Sequence, residues 1–358
     1  MLRPFQFRDL VSGRARGVGA SLARSALQVA EYPYSAAMQL RNWRYDHAHL
    51  PAVRVSAPVI SVGNITLGGT GKTPMVEWLV RWFGARGLRP AVVSRGYSAK
   101  AGTPNDEALE LARKLPGVPH VLDRDRVRGA ERAIRAHGAE VIVLDDAFQH
   151  RRIARDLDLV LVDALEPFGY GHVFPRGTLR ESLEGWRRAH VIGLSRADAI
   201  EPDARAHIRE AVRQYAPAAV WIELVHAPHC LRNSAGTEQP VSTLTGKRVA
   251  AFCGIGNPQG FLYVLKRAGM DVLELRELPD HFAYPPAALQ QLAAWLERMN
   301  VDAAVCTSKD LVKINAMQLG SKPLWALQIG LEIVSGQSDF EAMLAPLASR
   351  ALTASSSP

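Results

Sequence analysis

Apolar residues along this chain follow two rhythms, short unbroken blocks and blocks spaced three to four apart. Residues 58–62, Pro-Val-Ile-Ser-Val, form an unbroken block and predict a buried strand. A glycine-dense turn follows, with Gly63, Gly68, Gly69 and Gly71, and then Lys72 and Thr73. Met75, Val76, Leu79 and Val80 come next and share one side of a predicted helix. Residues 91–94 predict a second strand, ending in Arg95-Gly96-Tyr97. Helices are predicted over 105–114, with Asp106 and Glu107 in the first turn, and over 126–137. Residues 141–144 form a strand closed by Asp145-Asp146, and 159–162 and 191–194 are further strands. Strands alternating with helices call for a parallel sheet covered on both faces, here spanning 55–225.

The rhythm breaks after Trp221. His226, Pro228, Asn233, Gly236 and Pro240 read as an extended linker over 226–246. A second, smaller α/β domain is expected over 247–350. It has strands at 249–253, 271–275 and 303–306, and a helix over 259–268 after Gly254-Ile255-Gly256. The tail, 351–358, is mostly small and polar, which predicts disorder.

Residues 1–54 have a different character. Val18, Leu22, Ala26 and Val29 fall on one helical face, and Tyr32, Tyr34, Trp43 and Tyr45 follow among arginines. The longest uncharged stretch, 32–40, contains Pro33 and is far shorter than the ~20 residues a spanning helix needs. Nor is there the long apolar core of a signal peptide. The chain of 358 residues carries a formal net charge of +8, and this first segment holds eight arginines against three acids. Basic residues with interfacial aromatics suit a helix lying on an anionic leaflet. A solvated helix packed on its own domain fits the same residues. No zinc finger, RNP motif or interleaving of aromatic with basic residues points to nucleic acid. Three widely spaced cysteines argue against a disulfide framework or a zinc site, and no stretch calls for an obligate protein partner.

Strand, glycine turn, Lys-Thr and helix together make a phosphate-binding loop, whose parts are Thr66, Leu67, Gly68, Gly69, Thr70, Gly71, Lys72 and Thr73. Glycines let backbone N–H groups curl around phosphate oxygens, and the helix N-terminus adds partial positive charge. Lys72 would reach the β- and γ-phosphates of ATP, and the Thr73 hydroxyl would ligate Mg²⁺. Thr66 stands where the strict G-x-x-x-x-G-K-[ST] pattern has its first glycine. Asp145-Asp146, at the end of an apolar strand, lies where such an enzyme holds its metal. Asp106-Glu107 could equally complement a helix dipole, Arg180-Glu181 could equally be a surface ion pair, and a lone His281 is more often structural.

The blocks GNITLGGTGKTP, SRGY (94–97), NDEALELA (105–112), DDAFQHRR (145–152), PRGTLRE (175–181), PDHFAY (279–284) and TSKDLVKI (307–314) occur in that order. The chain thereby resembles the tetraacyldisaccharide 4'-kinase family, the lipid A 4'-kinases, over nearly its whole length. Ala147 departs from the DDGFQH form and should stiffen the turn after the two acids. The resemblance implies phosphoryl transfer from ATP to the 4'-hydroxyl of a tetraacylated glucosamine disaccharide 1-phosphate. The reaction would take place at the cytoplasmic face of the bacterial inner membrane, with the enzyme bound peripherally. It places the catalytic pair on Asp106 and His281, the Mg²⁺ carboxylates on Asp145, Asp146 and Glu181, and the phosphate-stabilising arginine on Arg180. Gln149 and His150 match positions near the lipid. Asp106 falls in the first expected domain and His281 in the second. A membrane-associated P-loop NTPase switch is the rival enzyme reading, since Ser195-Arg196-Ala197-Asp198 faintly resembles a guanine-reading motif. A nucleotide-gated membrane adaptor is the non-catalytic one.

Overall fold

The structure is a computed structural model and describes residues 4–67, 70–96, 111, 114–280 and 282–355. The chain forms two compact units. The first comprises residues to Tyr97, Gly117–Val225 and Ile333 onward, and the second comprises Ser98–Pro116 and His226–Glu332.

The first unit opens with two helices, α1 (Pro4–Val11) and α2 (Val18–Asp46). Strand β1 (Val59–Asn64) then leads to α3 (Lys72–Gly84), β2 (Pro90–Ser94), β3 (His120–Leu122) and α4 (Arg126–His137). After these come β4 (Val141–Asp145), β5 (Leu157–Asp163), β6 (Val191–Ser195), α5 (Pro202–Arg213) and β7 (Val220–Arg232). The strands lie in the order β3-β2-β4-β1-β5-β6-β7, all pairings parallel. Every residue of β1, β2, β4 and β6 is buried. That is why these strands are unbroken apolar runs: a parallel sheet has helices on both faces and no polar side. One face packs Val59, Ala91, Val93, Ile142 and Leu144 against Val127, Ala130 and Ala133 of α4. Another cluster joins Val160, Val162, Ile192 and Leu194 to Ile208 and Val212 of α5. On α3 the predicted stripe of Met75, Val76, Leu79 and Val80 is buried throughout.

The strand order places the site. Strand β4 returns to the slot between β2 and β1, so the ends of β1 and β4 are neighbours, with Val62 opposite Asp145. Ligands of parallel α/β sheets bind beyond the C-terminal ends of strands where the order reverses.

In the second unit, after the short β8 (Glu238–Gln239), come β9 (Arg248–Cys253), α6 (Pro258–Arg267), β10 (Asp271–Glu277), α7 (Pro286–Glu297) and β11 (Ala303–Thr307). Strand β13 (Lys322–Ser335) follows β12 (Gln318–Leu319). The order is β10-β9-β11-β13, again parallel, with β12 antiparallel on β13. The TSKD block forms a buried knot. Thr307 Oγ1 donates to Asp310 Oδ2 at 2.6 Å, and Gly254 N donates to Asp310 Oδ1 at 3.1 Å. All three cysteines are free.

Several segments differ from the sequence-based expectation. The 226–246 stretch is not simply a linker, because β7 runs through it to Arg232. Pro228 falls beyond the pairing with β6, which ends at Leu224, and before the pairing with β8, which begins at Leu231. Leu111 and residues 114–116 belong to the second unit, although they lie in sequence between β2 and β3. The final helix, α8 (Gln337–Ser355), returns to the first unit and takes in residues 351–355, which composition alone marks as disordered. Its packing explains this. Phe340 is fully buried and stacks on Trp78 at 5.4 Å, Arg350 pairs with Asp156 at 2.7 Å, and Ala351 is buried.

Candidate active site

The loop after β1 enters α3 through Gly71, whose φ of 83° is left-handed and open to glycine without strain. Lys72 and Thr73 thus sit at the N-terminus of α3, where unpaired N–H groups and the helix dipole favour anions. Gly68 and Gly69 lie outside the described residues. The rising half of the loop is sewn to the PRGTLRE segment. Leu67 N donates to Thr178 O and Arg180 N donates to Ile65 O, both at 2.6 Å. These main-chain bonds carry Arg180 to the mouth of the loop.

Three charged side chains converge there. Lys72 Nζ lies 3.5 Å from Asp146 Oδ1 and 3.4 Å from Asn64 Oδ1. Arg180 Nη1 donates to both oxygens of Asp146, at 3.0 and 3.1 Å. Burial pushes the Asp146 carboxyl up, but Lys72 and Arg180 outweigh it and hold it below the usual range. Asp146 has φ 48°, while Ala147 is not among the residues with positive φ. The left-handed step of the turn therefore falls on Asp146. The methyl of Ala147 instead enters the α4 side of the core, so alanine costs no backbone strain where glycine was expected.

Glu181 is 1% exposed and forms the second node. Its Oε1 accepts from Gln149 Nε2 at 3.0 Å, and its Oε2 accepts from Asn42 Nδ2 and Arg188 Nη2, each at 2.8 Å. A carboxylate offers about four acceptor positions, so about one remains, on Oε1. Gln149 also donates to Asn64 O at 2.9 Å, tying the two nodes together. Close packing seats the DDAFQH turn: a Cβ on Gly63 would stand 2.6 Å from Phe148 Cβ and 2.9 Å from its backbone nitrogen. Burial and the Arg126 charge push the ring of His150 down to about 4, so it is neutral at ordinary pH.

Lys72, Thr73, Asp145, Asp146, Gln149, His150, Arg180 and Glu181 all belong to the first unit, at the C-terminal ends of β1 and β4 and the segments packed on them. Asp106, Glu107 and His281 lie outside the described residues. Among the described residues, no three His, Cys, Asp or Glu side chains are gathered into a metal-binding group. The donors on offer are all oxygens, a hydroxyl and carboxylates, which is the chemistry of Mg²⁺, an ion held by one or two carboxylates with water and phosphate completing its shell. Arg196 of the faintly guanine-reading stretch is paired with Asp163. No motif marks Asn42 or Arg188, and Tyr34, read from the sequence with the interfacial aromatics, instead donates its hydroxyl to Arg180 O at 3.1 Å. Asn64, inside the glycine loop block, is the one a motif flags; the others come from outside the block that they support. In the second unit a cavity of about 360 Å³ opens onto Lys114, Arg232, Ser308 and Gln328.

Residues 23–348 match the family described as Tetraacyldisaccharide-1-P 4'-kinase. A tetraacyldisaccharide 4'-kinase from Anaeromyxobacter sp. (strain K) is 38% identical over 90% of this chain and 90% of its own length. One from Desulfatibacillum aliphaticivorans is 37% identical over 88% of this chain and 90% of its own. Among solved structures, LpxK from Aquifex aeolicus in complex with ATP aligns with a TM-score of 0.73 at 29% identity, covering 91% of this chain and 99% of that one.

Proposed function

Because the chain belongs to the tetraacyldisaccharide-1-phosphate 4'-kinase family, we propose that its first unit binds ATP and transfers the γ-phosphate to the 4'-hydroxyl of a tetraacyldisaccharide 1-phosphate. The observation that carries this reading is the convergence of Lys72 and Arg180 on Asp146 beside the glycine loop. Phosphoryl transfer asks the protein mainly for positioning and charge stabilisation. Backbone N–H groups of the glycine loop would cradle the phosphates. Lys72 and Arg180, held 3.5 and 3.0 Å from one carboxylate, are two preset cations for the charge that develops on the transferring group. Thr73, Asp145, Asp146 and Glu181 are the residues that would hold Mg²⁺, with Glu181 contributing at most the one acceptor position left on Oε1. Bound there, Mg²⁺ would neutralise charge on the β- and γ-phosphate oxygens.

The acceptor hydroxyl must lose its proton as the phosphoryl group arrives. On the family resemblance, Asp106 is proposed as the base and His281 as the group that orients it. On the same resemblance, Gln149 and His150 are the residues that would meet the lipid.

Among the described residues, no helix is long and apolar enough to cross a membrane. Helix α2 instead exposes Val18, Leu22, Val29, Tyr32, Leu40 and Trp43, which supports a peripheral position for the enzyme on the anionic cytoplasmic face of the inner membrane. The discriminating experiment is consumption of ATP and of GTP with and without the lipid disaccharide. This reading expects ATP turnover that requires the lipid. Lipid-independent turnover, or a preference for GTP, would favour a nucleotide switch.

A further inference from the structure

Helix α2 has two working faces. At about 100° per residue, the exposed apolar residues Val18, Leu22, Val29 and Leu40 share one side. Glu31, Tyr34, Met38 and Asn42 lie half a turn away. On this inner side Tyr34 packs edge-on against Phe174, at 5.7 Å, and against the core, but no residue of α2 is fully buried, and a cavity of about 40 Å³ lies beneath the helix, lined by Met38, Asn42 and Glu181 among others. Polar contacts hold it as well, and they land on the site. Tyr34 OH donates to Arg180 O at 3.1 Å. Asn42 Nδ2 donates to Glu181 Oε2 at 2.8 Å. Arg41 donates to the main-chain carbonyl of Gln149. Glu31 accepts from Val173 N at 2.7 Å and pairs with His172 at 3.0 Å, anchoring the start of the same loop.

From this geometry we infer that Asn42 and Tyr34 are positioning residues for the phosphotransfer site, so that the helix laid on the membrane is also the wall that sets Arg180 and Glu181. Glu181 is buried, and Asn42 supplies one of its three donors. Removing that donor leaves a carboxylate free to rotate away from Gln149, which links it to the phosphate loop. Tyr34 holds the carbonyl of the residue whose guanidinium grips Asp146. Both contacts come from the side of the helix turned away from the exposed apolar face, so they can be cut without touching that face. The inference rests on the kinase reading above.

The test uses the full chain with ATP, Mg²⁺ and the tetraacyl disaccharide 1-phosphate in mixed micelles, with sedimentation on phosphatidylglycerol-containing vesicles alongside. Asn42→Ala is expected to lower kcat about 10- to 100-fold, the worth of a hydrogen bond to a charged group, with KM for ATP little changed and vesicle binding unchanged. Tyr34→Phe, which loses a neutral hydrogen bond, is expected to lower kcat about 2- to 10-fold. In a Glu181→Ala background, Asn42→Ala should cost nothing further in kcat, and the thermal-stability losses of the two changes should be less than additive. Full kcat in Asn42→Ala, or the same fractional loss with and without Glu181, would overturn the inference. A general loss of fold would lower vesicle binding and raise KM together, and that outcome also counts against it. Wild-type protein without lipid phosphorylation would overturn the kinase reading instead.

Discussion

Asp146 and its neighbours show how individual residues are set. The left-handed backbone of Asp146 turns its carboxylate toward Lys72 and Arg180, and Gly63 makes room for the turn that follows. A methyl on Gly63 would collide with the backbone of Phe148 rather than with a flexible tip. Gly63→Ala should therefore cost about 1–3 kcal/mol in denaturant unfolding and shift the Asp145–His150 turn, lowering kcat as well. Unchanged stability would mean that β1 and that turn are not packed as described. His150 makes a pH-dependent prediction. Its folded value, about 4, lies below the ordinary 6.5, through burial and then Arg126, with Arg41 and Arg155 adding to the effect and Asp125 opposing it. A depressed value means that the stability contribution is complete above about 6.5 and is lost as pH falls from there toward 4. His150→Gln should flatten the decline in unfolding free energy between pH 6.5 and 4.5; an identical decline in both proteins would contradict this.

At the scale of elements, α2 carries the test of membrane association. Leu22→Glu together with Val29→Glu, on the exposed face, should reduce sedimentation with anionic vesicles. Raising salt should weaken wild-type binding without abolishing it, since each basic residue near the surface contributes about 1 kcal/mol and the apolar face is not screened. Binding unaffected by the double change would remove α2 as the anchor. Much of this architecture was legible in the chain. Strands β1, β2, β4 and β6 are unbroken apolar blocks because both faces are covered, and α4 shows its period plainly, so spacing alone locates them. Other elements were hidden for physical reasons. His226 and Pro228 make β7 resemble a loop. Strand β3 is only three residues long, too short to show a period. The last turns of α8 are small and polar because they need only small side chains where Ala351 packs. The site divides in the same way. Its loop, its acid pair and Arg180 stand in contiguous blocks, whereas Asn42 and Arg188 reach Glu181 from segments distant or unmarked in sequence, and only the fold brings them there.

For the whole molecule, the assignments of Asp106 and His281 are tested together. Each single change to alanine should lower kcat by about 10²–10⁴, the range for a general base, with little change in KM for ATP. The double variant should be little worse than the worse single, because groups that act as one unit are not additive. Losses that multiply would mean that the two residues act independently. The central claim is narrower: charge where β1 and β4 end in the first unit drives phosphoryl transfer onto a lipid. The direct measurement is the fate of radiolabel from the γ-phosphate of ATP, followed onto the tetraacyl disaccharide 1-phosphate with wild-type protein and with Lys72→Ala, both checked for fold by thermal melting. The account predicts label on the lipid at its 4' oxygen with wild type and none with the folded Lys72→Ala variant. Label released only as inorganic phosphate by wild type, or lipid labelled at a near-normal rate by Lys72→Ala, would contradict it.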